Sequence, residues 1–258
     1  MKIFLTGASS GIGVALARAY AQTQPPGALT LGLCARRQEA LEALARELTD
    51  AHRQTVIAFP GDVRNPEEMQ RIGADFVSRF GAPDLVIANA GISRGTLTEH
   101  AVDMPAFAEV FATNTLGMVH TFQPFLAAMR ARRSGTVVGI ASVAGFRGLP
   151  GSGAYSASKA AAITYLESLR VEEQAHGIRV VTLCPGYIAT PLTAHNPYRM
   201  PFLLDPDDAA RRMLRVLGAG KKFAVVPWQM AIVGRILRRL PNWIYDRALA
   251  NVKRKPRI

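Results

Sequence analysis

Four residues in the middle of the chain have the types and spacing to move a proton. Tyr155 and Lys159 lie four residues apart in Tyr155-Ser156-Ala157-Ser158-Lys159, and on a helix that interval stacks them a turn apart on one face. A phenol titrates near ~10 and is a weak acid at neutral pH, but a neighbouring ammonium lowers that value toward the working range. Ser142 stands 13 residues before the tyrosine, at the end of an apolar run, with a hydroxyl able to hold a reacting oxygen in line. Asn114 falls inside the helical stretch FATNTLG, where asparagine is mildly unfavourable and wants a reason.

These residues need a scaffold, and the hydropathy pattern describes one. Strand-like runs rich in Val, Ile and Leu occupy residues 2–7, 28–35, 55–63, 84–91, 135–142 and 178–186, with a last short strand at 222–228. Helical stretches fall between them at 11–23, 38–51, 66–81, about 105–132 and 156–175. Strands alternating with crossover helices give a parallel sheet with helices on both faces, and the nearly continuous apolar character of the strands fits burial on both sides. No linker or repeat interrupts the pattern. The expectation is a single doubly wound α/β domain over residues 1–258, with a sheet of about seven strands. A variable loop at 191–206 and a basic appendage at 229–258 complete it.

The first strand runs into Thr6-Gly7-Ala8-Ser9-Ser10-Gly11-Ile12-Gly13. Glycines allow a tight turn with positive φ and let backbone approach a pyrophosphate closely. The helix beginning near Gly11 aims its N–H groups and positive dipole end at the same place. The spacing is Gly-x3-Gly-x-Gly, which differs from the Gly-x-Gly-x2-Gly of the commoner dinucleotide-binding dehydrogenases.

This turn, the segment Asn89-Ala90-Gly91 after the fourth strand, and the ordered set Asn114, Ser142, Tyr155 and Lys159 together resemble the short-chain dehydrogenase/reductase family over roughly residues 3–191. The family's NNAG signature reads ANAG here, with Ala88 in the first place. The resemblance implies a Rossmann-like fold and an oxidoreductase that interconverts a ketone or aldehyde with an alcohol. Hydride reaches carbon from a nicotinamide while Tyr155 delivers the proton to oxygen. In that scheme Lys159 lowers the tyrosine pKa, Ser142 binds the substrate oxygen, and Asn114 anchors a water leading to bulk solvent. Thr6, Gly7, Ser9, Ser10, Gly11, Ile12 and Gly13 would cradle the phosphates, with Asn89, Ala90 and Gly91 beside them. Asp62 and Val63 would hold the adenine, and Tyr155 and Lys159 would also touch the cofactor. Pro185-Gly186-Tyr187-Ile188-Ala189-Thr190 resembles the family's PG segment, in which Ile188 and Thr190 hold the nicotinamide carboxamide and Pro185 breaks the strand.

The second strand ends Leu33-Cys34-Ala35-Arg36-Arg37, with no acid before Glu39. NAD-binding versions of the fold place an acid there for the ribose hydroxyls, whereas guanidinium groups clasp a 2′-phosphate through paired, charge-assisted bonds. Arg36 and Arg37 therefore point to NADP(H).

The formal net charge is +12. Residues 1–210 hold equal numbers of acids and bases, so residues 211–258, with 13 bases against the one acid Asp246, supply the whole excess. From Met230 to Leu240, positions 230, 233, 236, 237 and 240 are apolar on one face, with Arg235, Arg238 and Arg239 on the other and Trp243 to Tyr245 beyond. That is the pattern of an element lying in a membrane interface, or of a helix packed over the protein's own pocket or across a subunit interface. A nucleic-acid partner is not expected, because the tetrad would go unexplained and no nucleic-acid module is present. An NADP-binding sensor or scaffold is the alternative to an enzyme, but it has no need of both Tyr155 and Lys159. Cys34 and Cys184 follow apolar runs and look like buried thiols of a reducing compartment. The histidines have no metal-ligand spacing, so no metal is expected. No apolar run approaches the ~20 residues that span a bilayer, and the expected location is cytoplasmic, with peripheral contact at the inner face of the membrane if the tail binds lipid. Phe146, Arg147, Leu149 and Tyr187 are expected to shape the substrate pocket with the 191–206 loop. Candidate substrates are a lipid-like or acyl-linked carbonyl, a keto-sugar or a small hydroxy acid, and the family resemblance implies a homodimer or homotetramer.

Overall fold

The computed structural model describes residues 1–257. Seven strands, β1 (Lys2–Thr6), β2 (Thr30–Ala35), β3 (Thr55–Pro60), β4 (Leu85–Ala88), β5 (Gly135–Ile140), β6 (Ile178–Pro185) and β7 (Phe223–Val226), form one sheet in the order β3-β2-β1-β4-β5-β6-β7. Every pairing is parallel. The helices are α1 (Gly11–Thr23), α2 (Gln38–His52), α3 (Pro66–Phe80), α4 (Met104–Phe111), α5 (Gly117–Arg132), α6 (Gly153–Glu172), α7 (Pro206–Gly218), α8 (Gln229–Arg239) and α9 (Asn242–Leu249).

The two-residue period of a strand divides the core in two. Ile3, Leu5, Leu31, Leu33, Ile87, Ile140, Val181 and Leu183 point to one face and pack with the apolar stripes of α1, α2 and α7. Phe4, Val86, Val137 and Val180 point to the other and meet α3, α5 and α6. Phe4 anchors that second face, its ring centroid 4.7 Å from Phe125 and 5.6 Å edge-on from Phe76. With helices on both faces, the ligand-binding edge of the sheet is its C-terminal end. The strand order reverses between β1 and β4, and the loops leaving them diverge to open a crevice.

Several elements depart from the sequence expectation. The helix expected across 105–132 is interrupted by a π-helical turn over Ala112–Leu116, where the Gly117 N–H reaches back to Ala112. Such widened turns cluster at functional sites, and this one carries Asn114. α6 begins at Gly153, early enough to take in Tyr155. Pro185 does not break β6 but is its last residue, in register with Val226. α7 and α9 were not anticipated. α7 is well specified locally, with Asp205 accepting from the Asp207 N–H at 2.9 Å and a proline at its first position. Its stripe of Ala209, Ala210, Met213 and Leu217 packs on α1. Among the described residues no helix is long and apolar enough to cross a membrane.

Candidate active site

The glycine turn closes on β4 through three independent constraints. Gly7 and Gly11 adopt φ of +67° and +55°, a region costly for other residues. A methyl on Gly7 would lie 2.7 Å from the Ala90 Cα, and one on Gly13 would overlap the Gly7 carbonyl oxygen. Asn89 then ties the two loops together, its Nδ2 donating to the carbonyls of Thr6 (3.1 Å) and Gly7 (3.2 Å). The Thr6 hydroxyl accepts from the Asn89 N–H at 3.2 Å. Ser10 sits at the N-cap of α1 but makes no side-chain capping bond. The first-turn N–H groups of that helix are therefore left for a ligand beside Ser10, Gly11 and Ile12. This donor set, in a glycine turn that side chains would fill, fits a dinucleotide pyrophosphate.

A cavity of about 360 Å³ runs from this turn across the ends of β4, β5 and β6. All but three of the expected site residues border it: Gly7, Ser9, Ser10, Gly11, Ile12, Arg36, Arg37, Asp62, Val63, Asn89, Ala90, Gly91, Ser142, Tyr155, Lys159, Pro185, Gly186, Ile188 and Thr190. Thr6, Gly13 and Asn114 are buried behind the wall and act on it from there. Asn114 is fully enclosed, with Oδ1 accepting from the Ile92 N–H (2.8 Å) and Nδ2 donating to the Ile92 carbonyl (2.9 Å) and to Ser158 Oγ (3.0 Å). It clamps the exit of β4 to α6, the helix that carries Tyr155 and Lys159.

Ser142 and Tyr155 both line the cavity, close enough that the serine hydroxyl acts on the phenol. Ser142 Oγ also accepts from the Ala144 N–H at 3.1 Å, which fixes its rotamer. Burial pushes the Tyr155 phenol above its ordinary pKa, against the opposing effect of the Ser142 bond. The lowering expected from Lys159 is not realised by the protein alone. Its ammonium is 6.0 Å from the Tyr155 ring centroid and donates to the Ile140 carbonyl at 2.8 Å. Lys159 is only 4% exposed, and burial pulls its pKa from 10.5 to about 8. Burial likewise pushes the neighbouring Cys184 thiol up to about 12, so it stays neutral.

At the turn end, Arg37 lies along the loop, with Nη2 donating to the Ser9 carbonyl at 2.8 Å and Nε to Ser9 Oγ at 3.3 Å. Arg36 stands beside it on the cavity rim. Asp62 is engaged by Arg64, whose Nη2 donates at 2.6 Å. Burial would raise the Asp62 pKa, but the bonds and charge of Arg64, together with the charge of Arg36, hold it below the ordinary value.

At the opposite end, Leu149, Tyr187, Leu192, Asn196 and Tyr198 line the cavity, which places the 191–206 loop over the site. Two residues expected there do other work. The Phe146 ring fills the notch above Gly234 of α8. Arg147 donates to the carbonyls of Leu237 and Leu240 and to Asn242 Oδ1, and lies 3.8 Å over the Tyr245 ring. Both dock the basic tail instead of contacting substrate. The tail's last stretch also reaches this end of the cavity. It returns to the site, and Lys255 lines the cavity. A lysine in a run of bases looks solvated, and no sequence signal separates it from its neighbours.

Residues 1–199 match the family described as short chain dehydrogenase. An uncharacterized oxidoreductase of Myxococcus xanthus is 37% identical over 250 residues, covering 96% of each chain. Dehydrogenase/reductase SDR family member 7B of Bos taurus is 33% identical over 277 residues, which is 99% of this chain and 82% of that one. An alcohol dehydrogenase of the archaeon Thermococcus sibiricus, solved with 5-hydroxy-NADP, shares the fold with a TM-score of 0.78 at 28% identity, over 87% of this chain and 95% of that one. With its glycine turn on β4 and its serine, tyrosine and lysine around one cavity, the chain belongs to the short-chain dehydrogenase/reductase family of oxidoreductases.

Proposed function

We propose that the protein is an NADP(H)-dependent carbonyl reductase or alcohol dehydrogenase with Tyr155 as its acid/base. The observation that carries this reading is the convergence of Ser142, Tyr155 and the buried Lys159 ammonium on one cavity that begins in a phosphate-binding turn. A nicotinamide dinucleotide bound along that cavity supplies the hydride. Ser142 orients the substrate oxygen, and Tyr155, kept protonated by burial, donates to the oxygen as negative charge develops there. Lys159 supplies positive charge under the phenol, and Asn114 is a positioning residue that fixes the floor. A water leading to bulk solvent would take the Asn114 main chain, because its side-chain amide is committed to Ile92 and Ser158. Arg36 and Arg37 line the turn end of the cavity, where guanidinium groups would clasp a ribose 2′-phosphate, which supports NADP(H). Ile188 and Thr190 would hold the carboxamide, and Asp62 and Val63 the adenine. A homodimer or homotetramer in the cytoplasm agrees with this reading.

A second surface supports peripheral membrane contact. Trp228, Ile232, Arg235, Ile236 and Arg239 follow the helical interval along the outer side of α8, and all are exposed. Trp228 is 64% exposed and Trp243, on α9, 72%. Ile236 was expected on the packed face but is turned outward at 55% exposure, while Gly234 takes the inner position against Phe146. Aromatic and aliphatic groups among arginines suit an anionic lipid interface.

Four outcomes test these assignments. Tyr155→Phe should abolish NADPH oxidation with carbonyl substrates while NADPH still binds within a few-fold, as fluorescence titration would show; retained turnover refutes the acid. Arg36→Asp should lower the ratio of kcat/KM for NADPH over NADH by about tenfold or more, and an unchanged ratio removes the cofactor argument. Lys159→Met should inactivate the enzyme yet stabilise the cofactor-free protein at pH 7. With a folded pKa of about 8 against 10.5, the folded state carries the full cost of a buried ammonium below pH 8, about 3 kcal/mol. That cost disappears as pH rises from 8 to 10.5, so a Tm gain of about 5 °C at pH 7 should shrink over this interval. A lower Tm, or a gain independent of pH, contradicts the charge assignment. The double variant Trp228→Ala, Trp243→Ala should lose sedimentation with phosphatidylserine vesicles; no binding by the unaltered protein ends the membrane reading.

A further inference from the structure

Beyond α9 the chain doubles back as a strap across the substrate end of the cavity. The Gly95 N–H donates to the Pro256 carbonyl at 3.2 Å, and a methyl on Gly95 would collide with the carbonyl oxygens of Lys255 and Pro256. The Arg257 guanidinium pairs with Asp103 at 2.9 Å, just before α4. Held from both sides, Lys255 is carried into the cavity, with its Nζ donating to Ser93 Oγ (2.8 Å) and to the Leu192 carbonyl (3.2 Å).

The electrostatics of this position are unusual. Lys255 is 9% exposed, and lysines are almost never buried unless paired. Both of its partners are neutral, and an ammonium has three protons to donate. Among the described residues no carboxylate lies within ion-pair distance, and Asp103 is taken by Arg257. Burial alone pulls the Lys255 pKa below its ordinary value. The side-chain oxygen of Asn196 is likewise buried in the wall of the same cavity, with no hydrogen-bond partner among the described residues. A buried cation without a counter-charge is costly unless something brings one, and the open side here is the substrate cavity.

We propose that Lys255 is a substrate-binding residue that takes an oxyanion, a carboxylate or phosphate, on the carbonyl substrate. The inference rests on the reductase reading above and sets its substrate class. Ser93 lies two residues from Gly91, and a methyl on Gly91 would lie 3.5 Å from Lys159 Nζ; two residues of chain span at most about 7 Å. The anion site therefore lies within roughly 15 Å of Lys159 in the same cavity, and the substrate carries its anionic group on the part of the molecule that reaches toward the strap. Leu149, Tyr187 and Tyr198 offer apolar surface to the rest of the molecule.

The test compares NADPH oxidation with one 3-oxo carboxylate, its neutral methyl ester and a ketone phosphate monoester of similar size. The unaltered enzyme should prefer an anionic compound to the ester, and the better anion identifies the group. In Lys255→Gln the ratio of kcat/KM for that anion over the ester should fall roughly ten- to a hundredfold, the size of one charge-assisted hydrogen bond, mainly through KM. Lys255→Arg should recover most of the preference. Asp103→Asn, which loosens the strap without touching Lys255, should lower the ratio in the same direction by less. Preference of the unaltered enzyme for the ester, or an unchanged ratio in Lys255→Gln, overturns the proposal while ester reduction upholds the reductase reading. A weakened NADPH affinity in place of the altered ratio assigns the ammonium to the cofactor and overturns it too. Reduction of none of the three compounds, with Tyr155→Phe indistinguishable from the unaltered protein, defeats the parent reading as well.

Discussion

The site depends on how closely two loops approach at the one place where the sheet changes direction. β1 is followed by α1 on one face of the sheet, whereas the chain leaving β4 packs α5 on the other. Between β1 and β4 the loops diverge, and the Asn89 amide bridges them by bonding the carbonyls of Thr6 and Gly7. This bridge needs the absence of side chains at Gly7 and Gly13, since either methyl would push the turn off β4. The glycines and the asparagine are thus one device. The glycines permit contact, the amide fixes it, and the first turn of α1 is left with its N–H groups facing the crevice. Asn89 borders the cavity, but its amide faces the turn, so its main role is structural.

Once the floor is rigid, buried charge can be used on it. Lys159 is enclosed by β5 and α6, and its ammonium is held by a neutral carbonyl. Such a group costs stability when nothing is bound and gains interaction when a charged or polar ligand arrives. Lys255 repeats this arrangement at the far end of the same cavity, held by a hydroxyl and a carbonyl. Arg36 and Arg37 line the turn end. The cavity therefore presents positive charge at both ends and at its catalytic centre. Its carboxylate at the turn end, Asp62, is already engaged by Arg64. A ligand that is anionic along its length is the one this distribution favours.

How much of this was legible in the sequence follows the range of the interactions. Strand alternation, the glycine spacing and the Tyr155–Lys159 interval are local, and the sheet and the turn form where they are expected, while α6 starts three residues earlier than its pattern suggests and so takes in Tyr155. The π turn at Ala112–Leu116 was not legible. Its cause is tertiary: Asn114 reaches Ile92 and Ser158, both distant in sequence, and the widened turn accommodates that reach. α7 carries a local signal, with Asp205 and Pro206 placed before an apolar stripe. Phe146 and Arg147 follow Ser142 closely and were assigned to the pocket on proximity. Their partners, Gly234 and the carbonyls closing α8, lie about ninety residues on and no periodicity reveals them. Lys255 is the extreme case, because its burial depends on a chain reversal specified by contacts at Gly95 and Asp103.

The basic tail resolves into parts with different physical roles. Arg211 and Arg212 are paired with Asp208 within α7. Lys255 and Arg257 turn inward, one to the cavity and one to Asp103. Arg235 and Arg239 remain outside, among Trp228, Ile232 and Ile236. A helix whose inner side is pinned by Phe146 and Arg147, and whose chain continues into the strap, cannot shift without moving one or the other. Phe146 and Arg147 follow directly on the turn capped by Ser142, so the outer face of α8 connects mechanically to a serine that lines the cavity. Charge that looks like a uniform cationic extension is thus divided between a surface that can meet anionic lipid and a lysine placed for an anionic substrate. The two share one rigid support, α8 docked on the segment behind Ser142.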